Sequence, residues 1–266
     1  MIDDPTKNKA QRSKHNNSMS RRRFFAPPEA FNKQTVTLTG DEARHLRDVL
    51  RLKAGDEVFV FDGAGKEFRC TIDSARRDQA FLSQCHEIAP THPESPLQLT
   101  LAVALLKGEK FDLVVQKTTE LGVAEIVPVM TRNADIHLRD ANDAEKRVNR
   151  WRRIAIEAAK QCGRAVVPTI PLPISFESLM QDQNSLARFM FSERAGVSLD
   201  PGFSQLTTPG DVIALIGSEG GWTDQELASA STAGWQPITL GGRVLRAETA
   251  AIAVTALLQN KWGDLR

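Results

Sequence analysis

Two kinds of hydrophobic pattern divide the chain. Between residues 24 and 88, apolar and polar positions alternate in short runs, "TVTLTG", "DEVFVFDGAG", "EFRCTIDSA" and "AFLSQCHEI", punctuated by Gly and Asp. Alternation between turn residues predicts short strands with one buried face. One helix interrupts them. Thr39-Gly40-Asp41-Glu42 has the spacing of a capping box, and Ala43, Leu46, Val49 and Leu50 are expected to form its buried stripe. Beyond residue 97 the pattern changes. "LQLTLAVALL", "AEIVPVM", "RFMFSE", "VIALIG" and "QPITLGG" read as buried strands. Between them lie helical periods. Phe111, Val114, Val115, Thr118 and Leu121 face inward, with Gly122 as a stop; Val148, Trp151, Ile154, Ala155, Ala158 and Cys162 follow, with Gly163 as the next stop. A last helix, rich in Ala and Thr, spans roughly 247–262. Strands alternating with helices predict an α/β domain on a mostly parallel sheet.

The boundary falls at "APTHPESP", residues 89–96, with three prolines in eight residues. The expected organisation is a disordered basic tail over 1–20, a β-barrel over 21–90, a linker over 91–96 and the α/β domain over 97–266. Met19 is an alternative start. From Lys7 to Arg23 the chain carries Lys7, Lys9, Arg12, Lys14, Arg21, Arg22 and Arg23 without an acid. Such a run reads as a solvated tail or as an arm for RNA phosphates. Arg44, Arg47 and Arg51 share one helix face, which reads first as a solvated face and second as a phosphate-contacting ridge.

Composition narrows the classes. Of 266 residues, 41% are hydrophobic and the net charge is +1, so any nucleic-acid surface must be local. The three cysteines, Cys70, Cys85 and Cys162, form no C-x-x-C pair. Neither a disulfide framework nor a zinc site is expected, and a reducing cytosol fits best. No apolar run approaches the length of a membrane span.

The chemistry concentrates in two loops. "IGSEGGWTDQEL", residues 216–227, ends an apolar strand at Gly217, exposes backbone through Gly217, Gly220 and Gly221, and enters a helix whose Thr223 and Glu226 have capping-box spacing. In parallel sheets ligands bind at such carboxyl ends. A helix N-terminus favours anions, yet Glu219 stands in the loop, which argues against a phosphate and for a ligand with hydroxyls and an amine or sulfonium. "LGGRVLRAET", residues 240–249, repeats the arrangement one strand later: Leu240, Gly241-Gly242, Arg243, Arg246, then Glu248 and Thr249 opening the last helix. Two such loops can enclose one ligand. No P-loop or G-x-G-x-x-G is present.

These loops, with "KGEKFDLVVQKTTELGV", "RWRRIAIEAAKQCGR" and "HLRDVLRLKAGDEVFVFDGAG", resemble the RsmE family, the bacterial 16S ribosomal RNA uridine-N3 methyltransferases. The resemblance runs in order over residues 21–266. It implies a PUA-like β-barrel followed by a SPOUT-type α/β domain with a C-terminal trefoil knot, S-adenosylmethionine as methyl donor, a homodimer, and 16S RNA or the small ribosomal subunit as substrate. Carried over, backbone groups of Leu215, Gly217, Gly220, Leu240 and Leu245 would surround the adenine and methionine parts of the donor, with Glu219, Gly221, Gly241, Arg246 and Thr249 also at its site. Arg246 would stabilise charge on the uracil carbonyls, and Glu248 or Glu219 would accept the N3 proton. Arg22, Arg23, Arg47 and Arg51 would grip RNA phosphates, and Gln161 and Arg164 would border the RNA. The family usually has Pro where this chain has Ser218, and serine is expected to cost the turn some rigidity. Without the resemblance, a nucleotide hydrolase lacks ligand or base spacing. A non-catalytic RNA-binding protein would bind RNA and no donor.

Overall fold

The computed structural model describes residues 22–134, 136, 138–181, 187–194, 196–199 and 210–265. The tail expected over 1–20 lies outside them. The chain divides into two compact units, Met1–Pro90 and Thr91–Arg266.

The first unit is built on six strands, β1 (Arg23–Phe25), β2 (Phe31–Asn32), β3 (Thr35–Thr39), β4 (Glu57–Phe61), β5 (Glu67–Ala75) and β6 (Gln79–Ile88). Their order in the sheet is β1-β4-β5-β6-β3-β2. β1 runs parallel to β4, and the other pairs are antiparallel. The alternation seen in the sequence puts Phe24, Val36, Leu38, Val58, Val60, Ile72 and Leu82 into one core. Arg23, expected to reach RNA, is buried instead. Its Nε donates to Glu67 Oε1 at 3.0 Å, and its guanidinium lies over the Phe61 ring. A charge taken out of water needs such a partner, so Arg23 is a core residue.

Helix α1 (Gly40–Arg44) runs on into a π turn over His45–Val49. Ala43 and Leu46 are buried as expected, but Val49 and Leu50 are exposed. The wider π turn rotates later residues off the stripe. The expected capping box at Thr39 is absent. Thr39 makes no side-chain cap, and the Glu42 carboxylate accepts from the Phe25 amide instead. The chain enters α1 through Gly40 at φ +57°. The sequence reading also missed a cross-strand disulfide. Cys70 on β5 and Cys85 on β6 are joined with their Cα atoms 4.2 Å apart, beside a register shift where Gln84 has φ +49°.

The second unit is a seven-stranded, all-parallel sheet. Its strands are β7 (Gln98–Ala104), β8 (Glu125–Met130), β9 (Ile174–Ser175), β10 (Ala187–Phe191), β11 (Val197–Ser198), β12 (Asp211–Ile216) and β13 (Gln236–Thr239), in the order β11-β13-β10-β12-β7-β8-β9. Alternate residues serve opposite faces. Leu99, Leu101 and Val103 of β7 pack with α2 (Lys110–Glu120), α3 (Ala141–Cys162) and α6 (Ala247–Trp262). Ala102 of β7 and Ile213 and Leu215 of β12 pack with α4 (Phe176–Gln181) and Ala230 of α5 (Asp224–Thr232). Phe111 of α2 and Trp151 of α3 meet with ring centroids 4.2 Å apart. Glycines stop α2 and α3 as expected, with Gly122 at φ +85° and Gly163 at φ +90°.

Two residues read as linker belong to this unit. Ser95 Oγ donates to Gln259 of α6 at 2.6 Å, and Glu94 accepts from Arg164 Nε at 2.9 Å and from the Val166 amide. Arg164 also donates to the carbonyls of Thr119 and Val123 and is buried. It ties the ends of α2 and α3 together rather than facing RNA.

Removing one partner of a buried ion pair strands the other. Glu67→Ala is therefore expected to destabilise the first unit by about 3 kcal/mol, measured as faster hydrogen exchange of the β4 and β5 amides.

Candidate active site

Three neighbouring strands of the parallel sheet, β13, β10 and β12, end side by side, and their carboxyl ends open into a cavity of about 260 Å³. One wall is the loop after β12, with Gly217, Ser218, Glu219, Gly221 and Trp222. The facing wall is the loop after β13, with Leu240, Gly241, Arg243, Val244, Leu245 and Arg246. The floor comes from Phe191, Ser192 and Glu193 at the end of β10, and Ala247 and Ala250 of α6 close it.

Four of the loop glycines have a local reason. A Cβ on Gly217 would fall 3.0 Å from the Trp222 ring, which is itself held by Nε1 donating to the Phe191 carbonyl at 2.8 Å. A Cβ on Gly220 would fall 2.8 Å from the Asn133 backbone oxygen. Gly221 and Gly241 have φ of +65° and +104°, which side chains disfavour. The loop then enters α5 through the expected capping box. Thr223 accepts from the Glu226 amide at 3.1 Å and Glu226 accepts from the Thr223 amide at 2.9 Å.

Ser218 is buried, and its hydroxyl donates to the Asn133 carbonyl at 3.0 Å. Asn133 Nδ2 returns bonds to the carbonyls of Gly220 and Gly221 at 3.1 and 3.3 Å. The glycine loop is thus fastened to the turn after β8. Serine at this position supplies a hydrogen bond of its own to that turn.

Charge gathers on one side of the cavity. Lys110, the first residue of α2, donates from Nζ to Glu219 Oε1 at 2.7 Å. That bond raises the Lys110 pKa above the ordinary lysine value, with desolvation opposing; attraction to Glu248 adds to the rise, and Arg246 acts against it. Glu248 is buried in the first turn of α6, and its Oε2 has no hydrogen-bond partner. Arg246 is the N-cap residue of α6 and is exposed at the cavity.

Of the expected donor residues, Gly217, Glu219, Gly221, Leu240, Gly241, Leu245 and Arg246 line the cavity. Gly220, Leu215 and Thr249 lie outside the lining: Gly220 packs on Asn133, Leu215, expected to offer backbone, has its side chain in the core, and Thr249 is exposed. Sequence reasoning missed Phe191, Ser192, Glu193 and Lys110. Elsewhere, Arg22 and Arg51 are exposed. Arg47 is half-buried, with two hydrogen bonds of 2.6 Å to Asp48, which raise its pKa further. Gln161 is exposed in a groove between α2 and α3 that Lys117 and Arg153 also line.

Comparison with known proteins points the same way. The RNA methyltransferase domain matches residues 93–259, and the RNA methyltransferase PUA domain matches residues 38–85. Fold and site thus define an RNA methyltransferase with a PUA-type N-terminal unit. The chain is 34% identical to the ribosomal RNA small subunit methyltransferase E of Synechocystis over 90% of its own length and 78% of that protein's. With the Bacillus subtilis protein of the same name identity is 31%, over 87% and 92%. A crystal structure of ribosomal RNA small subunit methyltransferase E from Neisseria gonorrhoeae, bound to S-adenosyl methionine, superposes with a TM-score of 0.82 at 34% identity, covering 93% of this chain and 100% of that one. A methyltransferase of Legionella pneumophila in complex with the same cofactor gives a TM-score of 0.84 at 32% identity, covering 92% and 100%. The chain belongs to the ribosomal RNA small subunit methyltransferase E family.

The loop fastening is testable. Ser218→Ala removes one hydrogen bond and is expected to cost about 1 kcal/mol. Gly220→Ala forces Asn133 aside and is expected to cost about 2 kcal/mol. Urea unfolding followed by tryptophan fluorescence measures both, because all four tryptophans lie in the second unit.

Proposed function

We propose that this chain transfers a methyl group from S-adenosylmethionine to N3 of one uridine in the 16S RNA of the small ribosomal subunit. The observation that carries the reading is the cavity between two glycine-opened strand ends, in a chain 34% identical to a methyltransferase solved with that donor bound. The cavity suits the donor's chemistry. Ile216, Ile238 and Leu240 offer apolar wall for a flat base, and the loop glycines expose backbone. The acids Glu193 and Glu219 favour hydroxyls and an amine over phosphate. Bound there, S-adenosylmethionine supplies an electrophilic methyl group on a sulfonium.

The chain's own residues account for the rest. Uracil N3 is an imide nitrogen between two carbonyls, and its proton must leave before its lone pair can form a bond. Arg246, at the cavity wall, takes up the negative charge that spreads to the carbonyls. The two candidate proton acceptors differ in place: Glu219 lines the cavity, bonded to Lys110, whereas Glu248 is buried outside the lining with its Oε2 lacking a hydrogen-bond partner. N3 lies on the pairing edge, so the base must be flipped out or unpaired to reach the site.

The first unit grips folded RNA, with Arg22, Arg47 and Arg51 on phosphates and Gln161 of the second unit bordering the same substrate. The loops after β12 and β13 with α6 form the trefoil knot of the family. The protein works as a homodimer in the cytoplasm. Leu113 on α2 and Leu257 on α6 are exposed apolar residues that a second copy would cover. Among the described residues no helix is long and apolar enough to cross a membrane.

Calorimetry with S-adenosylmethionine tests the reading. Wild type is expected to bind and Gly220→Trp to lose binding. Wild-type protein is then expected to form N3-methyluridine on unmethylated small subunits, detected by mass spectrometry of the nucleosides. A folded wild type that binds no donor, with or without small-subunit RNA, would leave the non-catalytic RNA-binding protein as the better account. Arg51→Ala is expected to weaken RNA binding and to lower the slope of log affinity against log salt by about 1.

A further inference from the structure

We propose that Lys110 is a positioning residue of this site: its ammonium orients the Glu219 carboxylate at the cavity rim toward the polar groups of the donor. The inference rests on the methyltransferase reading and deepens it. Neither glycine loop contains Lys110. It arrives from β7, which lies beside β12 in the sheet, so its helix starts next to the end of the strand whose following loop carries Glu219. The contact joins residues 109 positions apart at 2.7 Å.

The pair is a poor device for holding the fold together. Its side chains keep 37% and 27% of their exposure, and ion pairs that wet contribute little to stability. Its placement is better suited to the ligand. Glu219 lines the cavity, and Arg246 and Glu248 both act electrostatically on Lys110. Lys110, Glu219 and Arg246 therefore gather at one rim.

The bond from Lys110 holds the Glu219 carboxylate in one orientation at the cavity wall, where it meets the polar groups of the donor. Without Lys110, Glu219 would lose the ammonium that orients it.

The test uses the full chain with Lys110→Met and Lys110→Arg, each alone and combined with Glu219→Gln. The readouts are the dissociation constant of S-adenosylmethionine by calorimetry, kcat and KM on unmethylated small subunits, and the melting temperature. Lys110→Met is expected to weaken donor binding and raise the donor KM about tenfold, the scale of one charge-assisted hydrogen bond. Its kcat should fall by less, and its melting temperature should stay at the wild-type value. Lys110→Arg should restore most of the loss. In the Glu219→Gln background, Lys110→Met should add nothing further. The proposal is overturned if Lys110→Met binds the donor like wild type, if arginine does not rescue it, or if its effect persists undiminished without the Glu219 carboxylate. A wild type that binds no donor sinks the methyltransferase reading and this role with it. A wild type that binds while Lys110→Met is unchanged sinks only the role of Lys110.

Discussion

Every strand of the second unit runs in the same direction, and the site follows from that constraint. Parallel strands cannot be joined by tight turns, so each connection must cross the sheet through a longer segment. All the carboxyl ends consequently face one edge, and the loops leaving them are free of the sheet's hydrogen bonding. The order β13-β10-β12-β7 then decides which loops become neighbours. Two glycine loops flank β10, and the helix carrying Lys110 starts beside the end of β12. None of these segments is close to all the others in sequence. The sheet brings them to one place.

A cavity at such an edge must hold its shape without a strand's ladder to support it. Here the support is lateral. Ser218 and Asn133 tie the glycine loop to the turn after β8, Trp222 is anchored on the carbonyl of Phe191, and the Glu226 carboxylate reaches both the Thr223 cap and the Arg132 amide. The bonds are modest one by one, but those of Ser218, Trp222 and Glu226 each leave a buried group satisfied. Breaking one would expose the cost of the orphaned partner. Backbone freedom at Gly221 and Gly241 is thereby converted into a fixed surface.

Much of this was legible in the sequence, because both units advertise their periods. Alternation in "DEVFVFDGAG" and helical spacing from Val148 to Ala158 needed only local physics, and the glycine loops stood out against the apolar runs they end. What escaped depended on partners far along the chain. Glu193 follows an ordinary strand and becomes a floor residue only because β10 lies between β12 and β13. Lys110 reads as a routine helix start. Arg23 and Arg164 look like their exposed neighbours until Glu67 and Glu94 are brought to them. Val49 and Leu50 have the right spacing for a buried stripe, and one wide turn moves them into solvent. The cysteine pair carried no motif; a bulged strand pair brought it together.

The walls of the cavity come from residues 191–250, and its charged rim adds only Lys110 from earlier in the chain. Chains emerge from the ribosome N-terminus first, and domains tend to fold in that order. The first unit is therefore complete while the loops that wall the cavity are still being synthesised. For an interval in every molecule's life, the first unit is complete and the cavity does not yet exist.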